Sequence, residues 1–140
     1  MPQLNDLIGK PFKDGGRGPD AYDCYGLAIE VFKRYGIDLP DFKIACRDTK
    51  AINGRYLEQK PFWKDVTEEK PAPSLIFMRF NSSIGNHVGV YLGQGRFIHA
   101  RASTLSCIER INSPVWATAV IGYYVPAGKS QEVANGQSNS

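Results

Sequence analysis

The chain has 140 residues, 42% of them hydrophobic and 22% charged, with a formal net charge of +3. That length fits one domain able to bury its own core. Lys and Arg form no dense stripe, so nothing points to nucleic acid, and no apolar run reaches the ~18 residues needed to cross a bilayer.

In chain order, residues 3–9 form a short lead helix and residues 10–22 a loop punctuated by Gly15, Gly16, Gly18 and Pro19. From Cys24 to Tyr35, Leu27, Ala28, Val31, Phe32 and Tyr35 recur at helical spacing, and Gly36 is a good stop. Residues 47–59 hold a second, less regular helix. Pro61, Pro71 and Pro73 bracket a connector carrying Trp63. The second half reads as strands. Leu75–Phe80 is a short buried run. Residues 87–92 and 96–101 flank Gly93-Gln94-Gly95 as a hairpin, Thr104–Ile111 alternates moderately, and Val120–Val125 is the last strand. Residues 127–140 are rich in Gly, Ser, Gln and Asn and are expected to be disordered, leaving one domain over 1–126. Helices first and strands after them predict an α+β fold.

The chemistry-bearing residues are few. Cys24 opens a helix, where unpaired N–H groups and the helix dipole favour thiolate over thiol. The chain has only two histidines, His87 and His99, and both fall in the hairpin. A nucleophile and two candidate bases suggest a cysteine hydrolase. Taken alone, Cys24 is as readily a small buried hydrophobe, and His87, opposite the Val88/Val90/Leu92 face, a solvent-exposed side chain. Gly89 and Gly93 share the His87 face and leave room for a ligand or a thiol-bearing helix end. The register decides His99: pairing about Gly93 puts it on the His87 face, whereas a two-residue Gln94-Gly95 turn puts it on the other. Asp23 is a helix N-cap or a holder of a substrate amine, and Tyr25 is pocket lining or plain helix surface. Cys24, Cys46 and Cys107 lack metal-ligand spacing, so neither metal nor cofactor is expected; pairing of Cys46 with Cys107 is left open. Met1–Asp6 has no basic or apolar leader, and the expected location is cytoplasmic as synthesised.

Gly15-Gly16, Asp23-Cys24-Tyr25-Gly26-Leu27, His87-Val88-Gly89-Val90-Tyr91-Leu92-Gly93 and His99-Ala100 together resemble the NlpC/P60 family of papain-like cysteine peptidases. The resemblance runs from about Leu7 to Pro126. It implies a helix carrying the cysteine, packed on an antiparallel sheet of about five strands. It implies Cys24 as nucleophile, His87 as general base and His99 as the residue orienting it, with peptidoglycan stem peptides as substrate. Asp23, Tyr25 and Phe12 are the expected substrate-binding positions. Tyr25 stands where the family usually has serine, Phe12 where many members have tyrosine, and Ser74 where they have a structural aspartate. Gly15-Gly16-Arg17 and Gly36–Pro40 look most like phage and prophage tail-associated members, which makes other tail proteins the expected partners. The competing reading is a structural or binding component of a tail assembly, motivated by the changes at 12 and 25. Acyl transfer on the same residues is a third.

Overall fold

The computed structural model describes residues 2–41 and 62–127. The expected helix over 47–59, Cys46 and nearly all of the 127–140 tail lie outside the described residues. Helix α1 spans Cys24–Arg34, and strands β1 to β6 span Trp63–Asp65, Ser74–Met78, His87–Gly93, Arg96–His99, Cys107–Arg110 and Val120–Pro126. A one-turn helix, α2, spans Pro114–Ala117. The strands form one antiparallel sheet in the order β1-β6-β2-β3-β4-β5. The fold is α+β, with a sixth strand beyond the expected five. That strand is β1, whose three residues pair with the end of β6, Trp63 opposite Pro126. Three residues are too few to show alternation, which is why the segment reads as a connector.

The lead segment is a single 3-10 turn, Asn5–Leu7, rather than a helix over 3–9. Helix α1 forms as its pattern dictates. Leu27, Ala28, Val31 and Phe32 are buried on one side. Gly36 takes φ +84°, and the Ile37 and Gly36 amides bond back to the Phe32 and Lys33 carbonyls, closing a Schellman cap. Gly is required there because a side chain in that region of φ is strained.

Both faces of the sheet are covered. On one, α1 packs on β3 and the end of β4, and its apolar stripe joins Leu75, Phe77, Val88, Val90, Leu92, Ile98 and Tyr124. The other carries a second cluster of Ile76, Met78, Phe97, Ile111, Trp116 and Tyr123, with Trp116 brought in by α2. Every residue of β2 is buried, as its uninterrupted apolar run requires. His87 therefore faces a second core, not solvent, and is only 4% exposed. Among the described residues no helix is long and apolar enough to cross a membrane.

Candidate active site

The loop before α1 and the first turn of α1 form one mechanical unit. Asp23 is the N-cap: its Oδ1 accepts the Gly26 amide at 2.6 Å, and its Oδ2 accepts the Gly15 amide at 3.1 Å. Arg17 donates to the same carboxylate at 2.8 Å and grips Asp41 with its other nitrogens. The Gly16 carbonyl accepts the Asp23 amide and lies so close to α1 that a Cβ on Gly26 would stand 2.0 Å from its oxygen. The spaced glycines thus let the loop backbone touch the helix start and set Cys24 as its first residue.

Cys24 is buried within the first core. Its sulfur is disulfide-bonded, whereas Cys107 is free and so pairs with no other cysteine. Only a thiolate attacks a carbonyl, so the sulfur is inert until the bond is reduced.

The histidines meet on the second face. His87 Nε2 lies 2.8 Å from His99 Nδ1, and His99 Nε2 lies 2.7 Å from a Glu109 carboxylate oxygen. The other Glu109 oxygen accepts the Trp116 indole N–H at 3.2 Å, and the Cys107 thiol is 3.5 Å from the first. The room left by Gly89 is filled by the neighbouring strand: a Cβ there would come within 2.9 Å of Phe97 and 3.2 Å of His99. It is Phe97 and the adjoining histidine on β4, not a helix end, that need this glycine.

The hydrogen-bond order assigns the protons. A carboxylate only accepts, so His99 carries its proton on Nε2 and accepts on Nδ1. His87 then donates from Nε2 and keeps its lone pair on Nδ1, the nitrogen a general base needs. Burial pushes His87 well below its ordinary value, helped by the nearby His99 and Arg101. Burial also lowers His99, outweighing the Glu109 hydrogen bond and charge. Glu109 is lowered by its bonds to His99 and Trp116 in spite of its partial burial. Both rings are thus neutral at neutral pH.

Trp116 encloses the pair, its ring 4.8 Å from His99 and 6.1 Å from His87 between centroids. His99 Nε2, Cys107 Sγ and a Glu109 oxygen lie within 4.8 Å of one another, a spacing a metal ion could use; here hydrogen bonds to Glu109 link the three residues.

The other expected positions are less direct. Asp23 has no exposed surface and caps the helix. The Tyr25 hydroxyl donates to the Pro40 carbonyl at 2.7 Å, and burial raises its phenol. Phe12 is half-buried against the first core and bridged to Tyr22. Sequence reasoning missed Glu109 and Trp116. The alternation of Cys107 and Glu109 on one strand was the available signal for the first; nothing local marks the second.

Residues 9–125 match the NlpC/P60 family. The "Probable endopeptidase p60" of Listeria grayi is 30% identical over 117 residues, which is 83% of this chain and 20% of that protein. The "Murein DD-endopeptidase MepS/Murein LD-carboxypeptidase" of Escherichia coli K12 is 29% identical over 117 residues, 83% of this chain and 55% of that protein. The chain thus spans about a fifth of the first relative and about half of the second. A Staphylococcus aureus subsp. aureus Mu50 structure described as similar to lipoprotein, NLP/P60 family, superposes with a TM-score of 0.63 at 27% identity, covering 90% of this chain and 39% of that one.

Proposed function

Since the chain belongs to the NlpC/P60 family, we propose that it is a cysteine peptidase hydrolysing amide bonds in peptidoglycan stem peptides, with Cys24 as nucleophile, His87 as general base and His99 as the residue that orients it. The observation carrying this reading is the ordered chain from Glu109 through His99 to His87, which leaves His87 Nδ1 as the basic nitrogen. Named murein endopeptidases among the relatives support the substrate class.

In the reduced protein, His87 Nδ1 takes the Cys24 thiol proton and the sulfur attacks the scissile carbonyl carbon. The N–H groups at the start of α1 face the developing oxyanion. Collapse of the tetrahedral intermediate breaks the C–N bond; His87 returns its proton to the leaving amine, and a thioacyl-enzyme remains. His87 then deprotonates a water that attacks the thioester, releasing the carboxylic acid and restoring the thiol.

Turnover of purified muropeptides under reducing conditions tests the reading. Release of a new amine and a new carboxyl by the parent, and none by Cys24→Ala, is expected; equal inactivity of both would end it. The disulfide at Cys24 favours a second reading, a wall-binding component without turnover, which predicts retained muropeptide binding and no cleavage even after reduction. Incorporation into a phage tail is supported by the Gly15-Gly16-Arg17 and Gly36–Pro40 resemblance; mass spectrometry of purified tail particles would find the chain there or refute it.

A further inference from the structure

We propose that Arg101 binds a carboxylate of the peptide substrate beside the scissile bond, an inference that rests on the peptidase reading above. Strand β4 ends at His99, and Arg101 follows two residues later. The ladder of β3 and β4 pairs as far as Val90 opposite Ile98, and Arg101 lies past its end, on the side of the histidines, against the Phe80 and Trp116 rings that also pack on His87.

The guanidinium carbon lies 5.4 Å from the Phe80 ring centre and 6.0 Å from that of Trp116, the same Trp116 that packs against His87 and His99. Aromatic packing holds a guanidinium plane in place but leaves its N–H groups unsatisfied. Arg101 Nε is buried and has no hydrogen-bond partner, and Arg101 forms no ion pair among the described residues. The carboxylate in the same corner, Glu109, is already bonded to His99 and Trp116. The contrast with Arg17 is instructive, because that arginine is fully engaged by Asp23 and Asp41. A half-exposed cation held against an aromatic wall, with open donors and no paired anion among the described residues, is preorganised for an outside one.

A carboxylate is the ligand that fits. The fork of guanidinium N–H groups matches two coplanar oxygens. A γ-linked glutamyl residue keeps its α-carboxylate free on the same short chain as the reacting carbonyl, so the acyl half of a stem peptide brings one to the site. The positive charge of Arg101 opposes protonation of His87 and His99, and a bound carboxylate would offset it as His87 takes up the thiol proton.

The test uses two peptides, L-Ala-γ-D-Glu-diaminopimelate with its glutamyl α-carboxylate free and the same peptide with that group amidated. Turnover is followed with reduced protein, and binding to Cys24→Ala by calorimetry. The free acid should be cleaved with kcat/KM roughly tenfold or more above the amide, and bound correspondingly tighter, as charge-assisted hydrogen bonds imply. Arg101→Gln should erase the preference and Arg101→Lys keep part of it. Equal handling of the two peptides by the parent, survival of the preference in Arg101→Gln, or no binding of either peptide overturns the proposal. Amidation is a change in the ligand, so the parent comparison stands even if the Arg101 variants fold poorly. Preferential binding without cleavage would sink the peptidase reading and leave the Arg101 site standing.

Discussion

His87 Nε2 and His99 Nδ1 meet at 2.8 Å across a hairpin whose turn, taken alone, would hold them on opposite faces. The turn is the two-residue Gln94-Gly95 type, with positive φ at both positions, and Gly93 lies opposite Arg96. Between Tyr91 and Gly93 the register shifts by one, so that Tyr91 lies opposite Phe97. Leu92 is the extra residue of a bulge, and Gly93 absorbs the kink at φ +90°. One bulge therefore turns two histidines with nothing in common into a hydrogen-bonded pair.

Reductant should switch the site on. Before reduction, iodoacetamide should modify Cys107 and leave Cys24 untouched, since only the first is free. After reduction, Cys24 should label faster than Cys107 at mildly acidic pH, because burial and Glu109 raise the Cys107 thiol. Peptide-level mass spectrometry reads both. Cys24 labelling at full rate without reductant, or the three cysteines labelling alike after it, would contradict the activated-nucleophile assignment.

Glu109→Gln should lower kcat about 10- to 100-fold with little change in KM. The carboxylate accepts from both His99 and Trp116, and an amide can accept from only one of them without presenting its NH2 to the other. If the NH2 faces His99, the proton order reverses and His87 carries its proton on Nδ1. Nitrogen NMR of the imidazoles distinguishes that tautomer change from simple loosening, and Glu109→Asp should recover part of the rate. An unchanged tautomer pattern with unchanged kcat would remove Glu109 from the positioning chain.

Stability should fall on mild acidification. Both histidines are held below the ordinary value of about 6.5 in the folded protein. The unfolded chain therefore binds protons first: the stabilisation is fully present above about 6.5 and is lost as pH falls from there through the folded-state values. Urea midpoints at pH 8 and pH 5 should differ in the parent, and the difference should shrink in a His87→Gln/His99→Gln variant. Equal midpoints in the parent would show that the rings are not held neutral.

Gly26→Ala should destabilise the fold by about 3 kcal/mol or more, because the new methyl meets the Gly16 carbonyl, which is backbone and anchored by the Asp23 amide. Thermal unfolding checks this. Gly95→Ala is a useful contrast, since a Cβ there meets no atom closer than 3.6 Å and only its positive φ resists the change. A mild effect at Gly26 would mean the loop can lift off the helix start.

Much of this protein was legible from local pattern. The stripe from Leu27 to Phe32 and the stop at Gly36 give α1 within a residue, since helix periodicity and a left-handed cap are properties of neighbours in sequence. The strand runs and the Asp-Cys-Tyr-Gly-Leu and His-Val-Gly motifs give the α+β class and the residues to inspect. Tertiary structure decided what those residues do to one another. The bulge at Leu92 set the face of His99, the second cluster made His87 a buried ring instead of an exposed one, and strand β5 and helix α2 supplied Glu109 and Trp116. The disulfide at Cys24 and the open guanidinium of Arg101 likewise depend on partners made or missed in space. The division has a physical cause. Periodicity and capping act over one to four residues, whereas proton order and charge pairing depend on distances of about 3 Å between groups that only the folded sheet brings together.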